Sequence, residues 1–269
     1  MKNSKKFVFL LTISMLLLLV AISPAKAIKF GELDVDDHPY VGLVVVFDAD
    51  GEPLWRGSGT LISPQVFLTA GHVTEAPAVT AVVWFDADVD AIPEYPFGGG
   101  NSVEGVCYTH PLYYLGPWYL NDIGIVVLDE PVDMDVYAEL PAVGVIDGIK
   151  SNEKQDAFTA VGYGLQYIIN HPFKAPRHIE SERVRYQTTL TLVNRIGSAG
   201  VPAGNVVVVS GNTHTGGTCF GDSGGPLFLS DSNTIVGVTS FGMNANCAGI
   251  GGANRIDTVD DLAWISSFL

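Results

Sequence analysis

Cysteine is scarce: the chain of 269 residues has three, Cys107, Cys219 and Cys247, so at most one internal disulfide forms and one thiol is left over. No two of them stand at a Cys-x-x-Cys spacing, and His38, His110, His171, His178 and His214 show no metal-ligand spacing, which argues against a zinc site. Basic residues are also few, with 14 Lys and Arg against 29 Asp and Glu and a formal charge of -15. So acidic a protein repels a polyanion rather than releasing its counterions, and no nucleic-acid partner is expected. Amphipathic helix patterns alternating with strands are missing, which disfavours a parallel α/β sheet.

The first residues read as an export signal. Lys2, Lys5 and Lys6 precede an apolar run from Phe7 to about Ile22, and Ala25-Lys26-Ala27 offers a small-x-small cleavage site. The run is short for a membrane span and is broken by Thr12 and Ser14. Residues 1–27 are therefore expected to be a signal peptide, leaving a secreted, extracellular protein with no membrane attachment. Their loss takes four lysines and no acid, so the mature chain is more acidic still. An exported chain can keep a disulfide. With 47% apolar and 16% charged residues, a substantial core can be buried and general disorder is not expected.

Strand signals dominate the mature chain. Val41–Phe47, Thr60–Ile62, Val66–Thr69, Val79–Phe85, Ile123–Leu128, Phe158–Val161, Val184–Val193, Val206–Ser210, Pro226–Leu229 and Thr234–Ser240 are rich in β-branched or aromatic residues and bounded by turn formers. Many short strands with this punctuation predict an all-β sandwich or barrel. A composition shift around Val132–Lys154 suggests a crossing between two β units. The last stretch differs: Thr258 caps early acids, and Val259, Leu262, Ile265 and Phe268 form a stripe, which predicts a terminal helix over 258–269.

Three segments carry chemistry. In Gly221-Asp222-Ser223-Gly224-Gly225-Pro226 a serine is flanked by glycines, so backbone amides of Gly221 and Ser223 can approach an oxyanion formed as Ser223 attacks a carbonyl. Serine needs a base, and Thr69-Ala70-Gly71-His72 supplies one at a strand end. An acid that leads into an apolar strand, Asn121-Asp122-Ile123, needs a buried partner, and His72 would provide it. The Gly-x-Ser-x-Gly pattern also fits the nucleophile elbow of α/β-hydrolases, but those place their histidine after the serine and no histidine follows Ser223. An order of acid, histidine, serine with Asp34, Asp36 or Asp37 is opposed by the strand that Gly224-Gly225-Pro226 begins.

In these three motifs, in their order and separations, the chain resembles the trypsin/chymotrypsin family of serine proteases. His38-Pro39-Tyr40, His110-Pro111-Leu112-Tyr113, Gly162-Tyr163-Gly164 and Ser240-Phe241-Gly242 extend the likeness over the mature chain. The resemblance implies two antiparallel six-stranded β-barrels, here residues 28–140 and 141–257, with a C-terminal helix and the active site between them. It implies Ser223 as nucleophile, His72 as base and Asp122 as orienting carboxylate, with Gly221 and Ser223 forming the oxyanion hole. Ser240 would support Asp122, and Ser240, Phe241 and Gly242 would line the substrate backbone. Cys219 and Cys247 would pair, Cys107 matches no family cysteine, and the bridge that flanks the histidine in the family is missing.

The same resemblance places Gly217 at the floor of the specificity pocket and Gly242 and Gly251 in its walls, an uncharged and roomy site for large apolar or aromatic side chains. Signal cleavage would expose Ile28, whose new amine would pair with Asp222, although Lys29 departs from the small apolar residue usual there. Asp86, Asp88, Asp90 and Glu94 alternate where some relatives bind calcium; the plainer reading is a solvated acidic loop, and no metal or other cofactor is expected. The expected partners are protein or peptide substrates, met by a monomer. Two rival functions remain: an inactive homologue that binds through the same cleft, and an esterase-like hydrolase using the same three residues.

Overall fold

The structure, a computed structural model, describes residues 28, 31–115, 120–150, 153–154, 157–166, 168–169, 177–178, 182–194, 204–211, 216–244, 247 and 249–269. The expected signal segment, Lys29, His171 and His214 lie outside the described residues. After the short strand β1 (Glu32–Leu33) come β2 (Val41–Phe47), β3 (Pro53–Ser63), β4 (Val66–Thr69), β5 (Thr80–Trp84), β6 (Ser102–Thr109) and β7 (Gly124–Leu128). Strands β2 to β7 close into a barrel of order β2-β3-β4-β7-β6-β5. Closure explains β2: paired on both sides and buried along its whole length, it reads Val-Gly-Leu-Val-Val-Val-Phe with no polar face.

The second half contains β8 (Phe158–Gly162), the small pair β9 (Ile168–Ile169) and β10 (Arg177–His178), then β11 (Tyr186–Leu190), β12 (Leu192–Asn194), β13 (Val206–Gly211), β14 (Pro226–Leu229), β15 (Ile235–Gly242) and β16 (Gly249–Arg255). Its main sheet runs β1-β11-β8-β14-β15-β16-β13-β12. The segments β11 and β12, near opposite ends of that order, are one run of chain bent at Thr191, whose carbonyl accepts from Ser210 N at 3.0 Å. One strand thus serves both edges, β11 on β8 and β12 on β13, and the sheet curls into the second six-stranded barrel with β1 added outside it. Glu32 and Leu33 therefore belong with the second barrel, because they pair with Gln187 and Tyr186.

Buried polar side chains bind the halves together. Arg185 donates to Val41 O, Phe85 O and the Tyr163 hydroxyl and faces Asp34, while His38 shares its proton with the other Asp34 oxygen at 2.5 Å. The helix Val259–Ser266 is capped by Thr258, whose side chain accepts from Asp261 N. Of the expected stripe, Ile265 is buried and Leu262 and Phe268 are half-buried, but Val259 is 65% exposed. Phe268 packs on Tyr108, and Trp264, outside that stripe, packs on His110, so the helix docks on the first barrel. No helix among the described residues is long and apolar enough to cross a membrane.

Candidate active site

Antiparallel pairing of β4 with β7 sets Thr69 opposite Gly124, which brings the segments just beyond both, 70–74 and 121–123, to one barrel edge. His72 lies in the short helix Gly71–Thr74, and Asn121, at φ 53°, turns the chain so that Asp122 points inward. Asp122 Oδ1 accepts from His72 N at 2.8 Å, and Oδ2 faces His72 Nδ1 at 2.8 Å. The second barrel completes the arrangement: Ser240 Oγ on β15 donates to Asp122 Oδ2 at 2.5 Å, and Asn254 Oδ1 on β16 accepts from Asp122 N at 3.3 Å. Asp122 is 1% exposed, so its charge is held by directed hydrogen bonds rather than by water. Burial by itself lowers the His72 pKa, but the charge and hydrogen bond of Asp122, helped by Glu75, raise it above the ordinary imidazole value.

The loop that carries Ser223 is clamped between the barrels. Ser58 N on β3 donates to Ser223 O at 2.7 Å, Ser58 Oγ donates to Gly221 O at 2.8 Å, and Gly224 N donates to Thr239 O at 2.8 Å. Gly224, at φ 85°, abuts the approach to His72: a Cβ there would lie 2.0 Å from Thr69 Oγ1, so only glycine fits. Gly221 also has a positive φ, 97°, and neither its N–H nor that of Ser223 donates to any acceptor among the described residues. The half-buried Ser223 hydroxyl makes no hydrogen bond among the described residues either, to His72 included. Such contacts are commonly long before a substrate is bound.

Asp222 is fully buried between Gly164 N and Cys219 N, which donate to its two oxygens at 2.8 Å each. With no ion-pair partner at contact distance, its pKa rises to about 7, chiefly through burial. Ile28 is also fully buried, packed with Tyr186 and Val184; in the uncut chain its nitrogen is an amide and makes no bond to Asp222. A carboxylic acid with a folded pKa near 7 and an unfolded one near 3.8 binds its proton more tightly when folded. Its stabilising contribution is full below the unfolded value and is lost as pH rises through about 7. Thermal unfolding of the uncut chain is therefore expected at lower temperature at pH 8 than at pH 5, with a difference on the order of 3 kcal/mol from this group. The Asp222→Asn variant should lose that part of the slope; an identical slope in both proteins would refute it.

Cys219 and Cys247 form a disulfide, with Cα atoms 5.1 Å apart. Cys107 is a free thiol on β6, and burial pushes its pKa up to about 12. Beside the disulfide lies a cavity lined by Gly217, Gly242 and Gly251 with Val209, Met243 and Ile250, and none of its described lining residues is charged. It is narrower than the sequence suggests: the free volume is about 10 Å³, room for roughly one water. Ser240 serves Asp122, and the Phe241 ring covers Gly252. The three aspartates of the 86–94 loop are turned to protein donors: Asp86 accepts from Asn101, Asp88 from Asp90 N, and Asp90 pairs with Arg183 at 2.7 Å. No group of three His, Cys, Asp or Glu among the described residues is placed to hold a metal.

Sequence reasoning missed Ser58 and Asn254. Both are buried polar residues on strands, and nothing in their neighbours marks them, because their partners lie more than a hundred positions away. Beside His72, the chain packs Val73 against Gly57: a Cβ on Gly57 would sit 2.9 Å from a Val73 methyl.

The family model described as Trypsin matches residues 38–265. A collagenase of Hypoderma lineatum is 27% identical over 214 residues, covering 78% of this chain and 74% of that protein. The venom serine protease Bi-VSP of Bombus ignitus is 28% identical over 204 residues, covering 75% of this chain and 56% of its own length. Among solved structures, that of HL collagenase superposes with a TM-score of 0.67 at 21% identity, covering 89% of this chain and 97% of the other. Human heparin binding protein superposes with a TM-score of 0.62 at 19% identity, covering 89% and 95%.

Proposed function

The chain belongs to the trypsin family of serine endopeptidases, and from that premise we propose that it cleaves peptide bonds through His72, Asp122 and Ser223, as a secreted enzyme activated by removal of residues 1–27. The observation that carries the reading is the imidazole of His72, held at both Nδ1 and its main-chain nitrogen by one buried carboxylate. That grip sets the tautomer with Nε2 free to take a proton. Ser223 Oγ attacks the scissile carbonyl as His72 Nε2 removes its proton. The oxyanion is stabilised by the two unspent N–H groups of Gly221 and Ser223. Collapse passes the proton from His72 to the leaving amine, and water, activated by the same imidazole, releases the acyl group from Ser223.

Two further features support the finer reading. Ile28 already stands buried beside Tyr186, which pairs with Gly162, and a Cβ on Gly162 would lie 2.4 Å from Asp222 Oδ1. A terminal amine freed at Ile28 would supply a cation to a carboxylate that pairs with none among the described residues, and pairing would return Asp222 to its ionised form. An uncharged pocket favours an apolar side chain before the scissile bond, since an unpaired ammonium there would be costly. Large rings enter only if Met243 and Ile250, both exposed, swing aside.

The test is cleavage profiling of the secreted protein on a peptide library, with N-terminal sequencing and fluorophosphonate labelling of Ser223. Cuts after Phe, Tyr, Leu or Met by a labelled chain beginning at Ile28 are expected. Efficient cleavage after Arg would refute the pocket, activity from another N-terminus would refute the activation step, and absence of labelling would favour a binding protein. Ester turnover without peptide turnover would favour the esterase.

A further inference from the structure

Arg56 lies on β3, two residues before Ser58, which clamps the Ser223 loop. Its Nε is 3.8 Å from the point that a Cβ on Gly221 would occupy. Four arginines have described side chains. Arg183 pairs with Asp90, Arg185 with Asp34, and Arg255 with both Asp147 and Asp257. The side chain of Arg56, alone among these four, makes no hydrogen bond and no ion pair among the described residues, in a chain whose acids outnumber its bases by 29 to 14. The buried Asp222 carboxylate acts on it only at a distance, because both oxygens of Asp222 are turned to backbone amides.

A half-buried guanidinium has given up part of its hydration without gaining an acceptor, and its planar fork suits a carboxylate. Its place decides which part of a substrate it meets. The specificity cavity, with Gly217, Gly242 and Gly251, lies on one flank of the loop. Arg56, Tyr163 and Gly164 surround Gly221 and line no part of that cavity. A chain that fills the cavity with the side chain before the scissile bond does not engage Arg56 there and leaves it to the part beyond that bond.

We propose that Arg56 is a specificity-determining residue that binds an acidic side chain on the leaving-group side of the scissile bond. The inference rests on Ser223 being the nucleophile. It is tested with the active secreted protein on peptides that share one apolar acyl side and carry Asp, Asn, Glu, Gln or Lys in the first two leaving-side positions. Wild type should favour acid over its amide about tenfold in kcat/KM, a preference that shrinks as salt rises. Arg56→Gln should bring the ratio near one, Arg56→Lys should keep part of it, and Arg56→Glu should turn the preference to Lys. Because each ratio is taken within one variant, a general loss of folding or activity does not alter it. An acid-to-amide ratio of one in wild type, or the same ratio in Arg56→Gln, overturns the role of Arg56 while leaving the protease reading intact. No cleavage of any peptide and no fluorophosphonate labelling of Ser223 would overturn both.

Discussion

Replacing Ser223 by alanine is expected to lower kcat on a peptide substrate by about a millionfold, the scale seen when an activated serine is removed from such a site. The loss should come without unfolding. Ser223 ties its loop to β3 through its backbone carbonyl, which accepts from Ser58 N, and alanine keeps that carbonyl. Its hydroxyl makes no hydrogen bond among the described residues, so removing it strands no buried partner. The measurements are single-turnover and steady-state rates alongside the thermal unfolding midpoint. A variant that retains more than about a hundredth of wild-type kcat would exclude Ser223 as nucleophile, since general positioning alone leaves far less.

Asp122→Asn should cost about ten-thousandfold in kcat, for a different reason. The carboxylate accepts from His72 N, faces His72 Nδ1 and accepts from Ser240 Oγ, three contacts on two oxygens. An amide offers one oxygen, and its NH2 turned toward Nδ1 favours the tautomer with the proton on Nε2, where it blocks attack by Ser223. The pH profile separates this from a folding defect. In wild type the pKa of His72 is raised by Asp122 against the opposing effect of burial. The base must be neutral, so kcat/KM should rise with pH through a midpoint above the ordinary imidazole value of about 6.5. Without the carboxylate charge, burial acts with less opposition and that midpoint should move to lower pH. A midpoint unchanged in the variant would show that Asp122 does not act on His72.

Much of the site was legible because chemistry left local marks. Glycines around Ser223, the strand end before His72 and the lone acid ahead of an apolar strand each carry their reason in their immediate neighbours. The strands that were missed lacked such marks. Ser102–Thr109 is half-buried or exposed except at Gly105, with charge and glycine among its residues, and Gly249–Arg255 begins Gly-Ile-Gly-Gly, a pattern that reads as loop. Both are held by pairing on two sides rather than by propensity. The terminal helix was placed by its cap, but its buried face was misjudged at Val259, since the neighbour that selects the face is Tyr108 of the first barrel.

Residue order alone determined the family, the all-β class and the types of side chain available for proton transfer, because turn formers, strand alternation and glycine-flanked motifs act over a few positions. Tertiary structure decided what those residues experience. It set the buried environment that raises Asp222, the grip of Ser240 and Asn254 on Asp122, the narrowness of the cavity by the disulfide, and the lack of an ion pair to Arg56 among the described residues. Each depends on side chains brought together across the two barrels, and solvation and charge respond to distance in space rather than to separation along the chain.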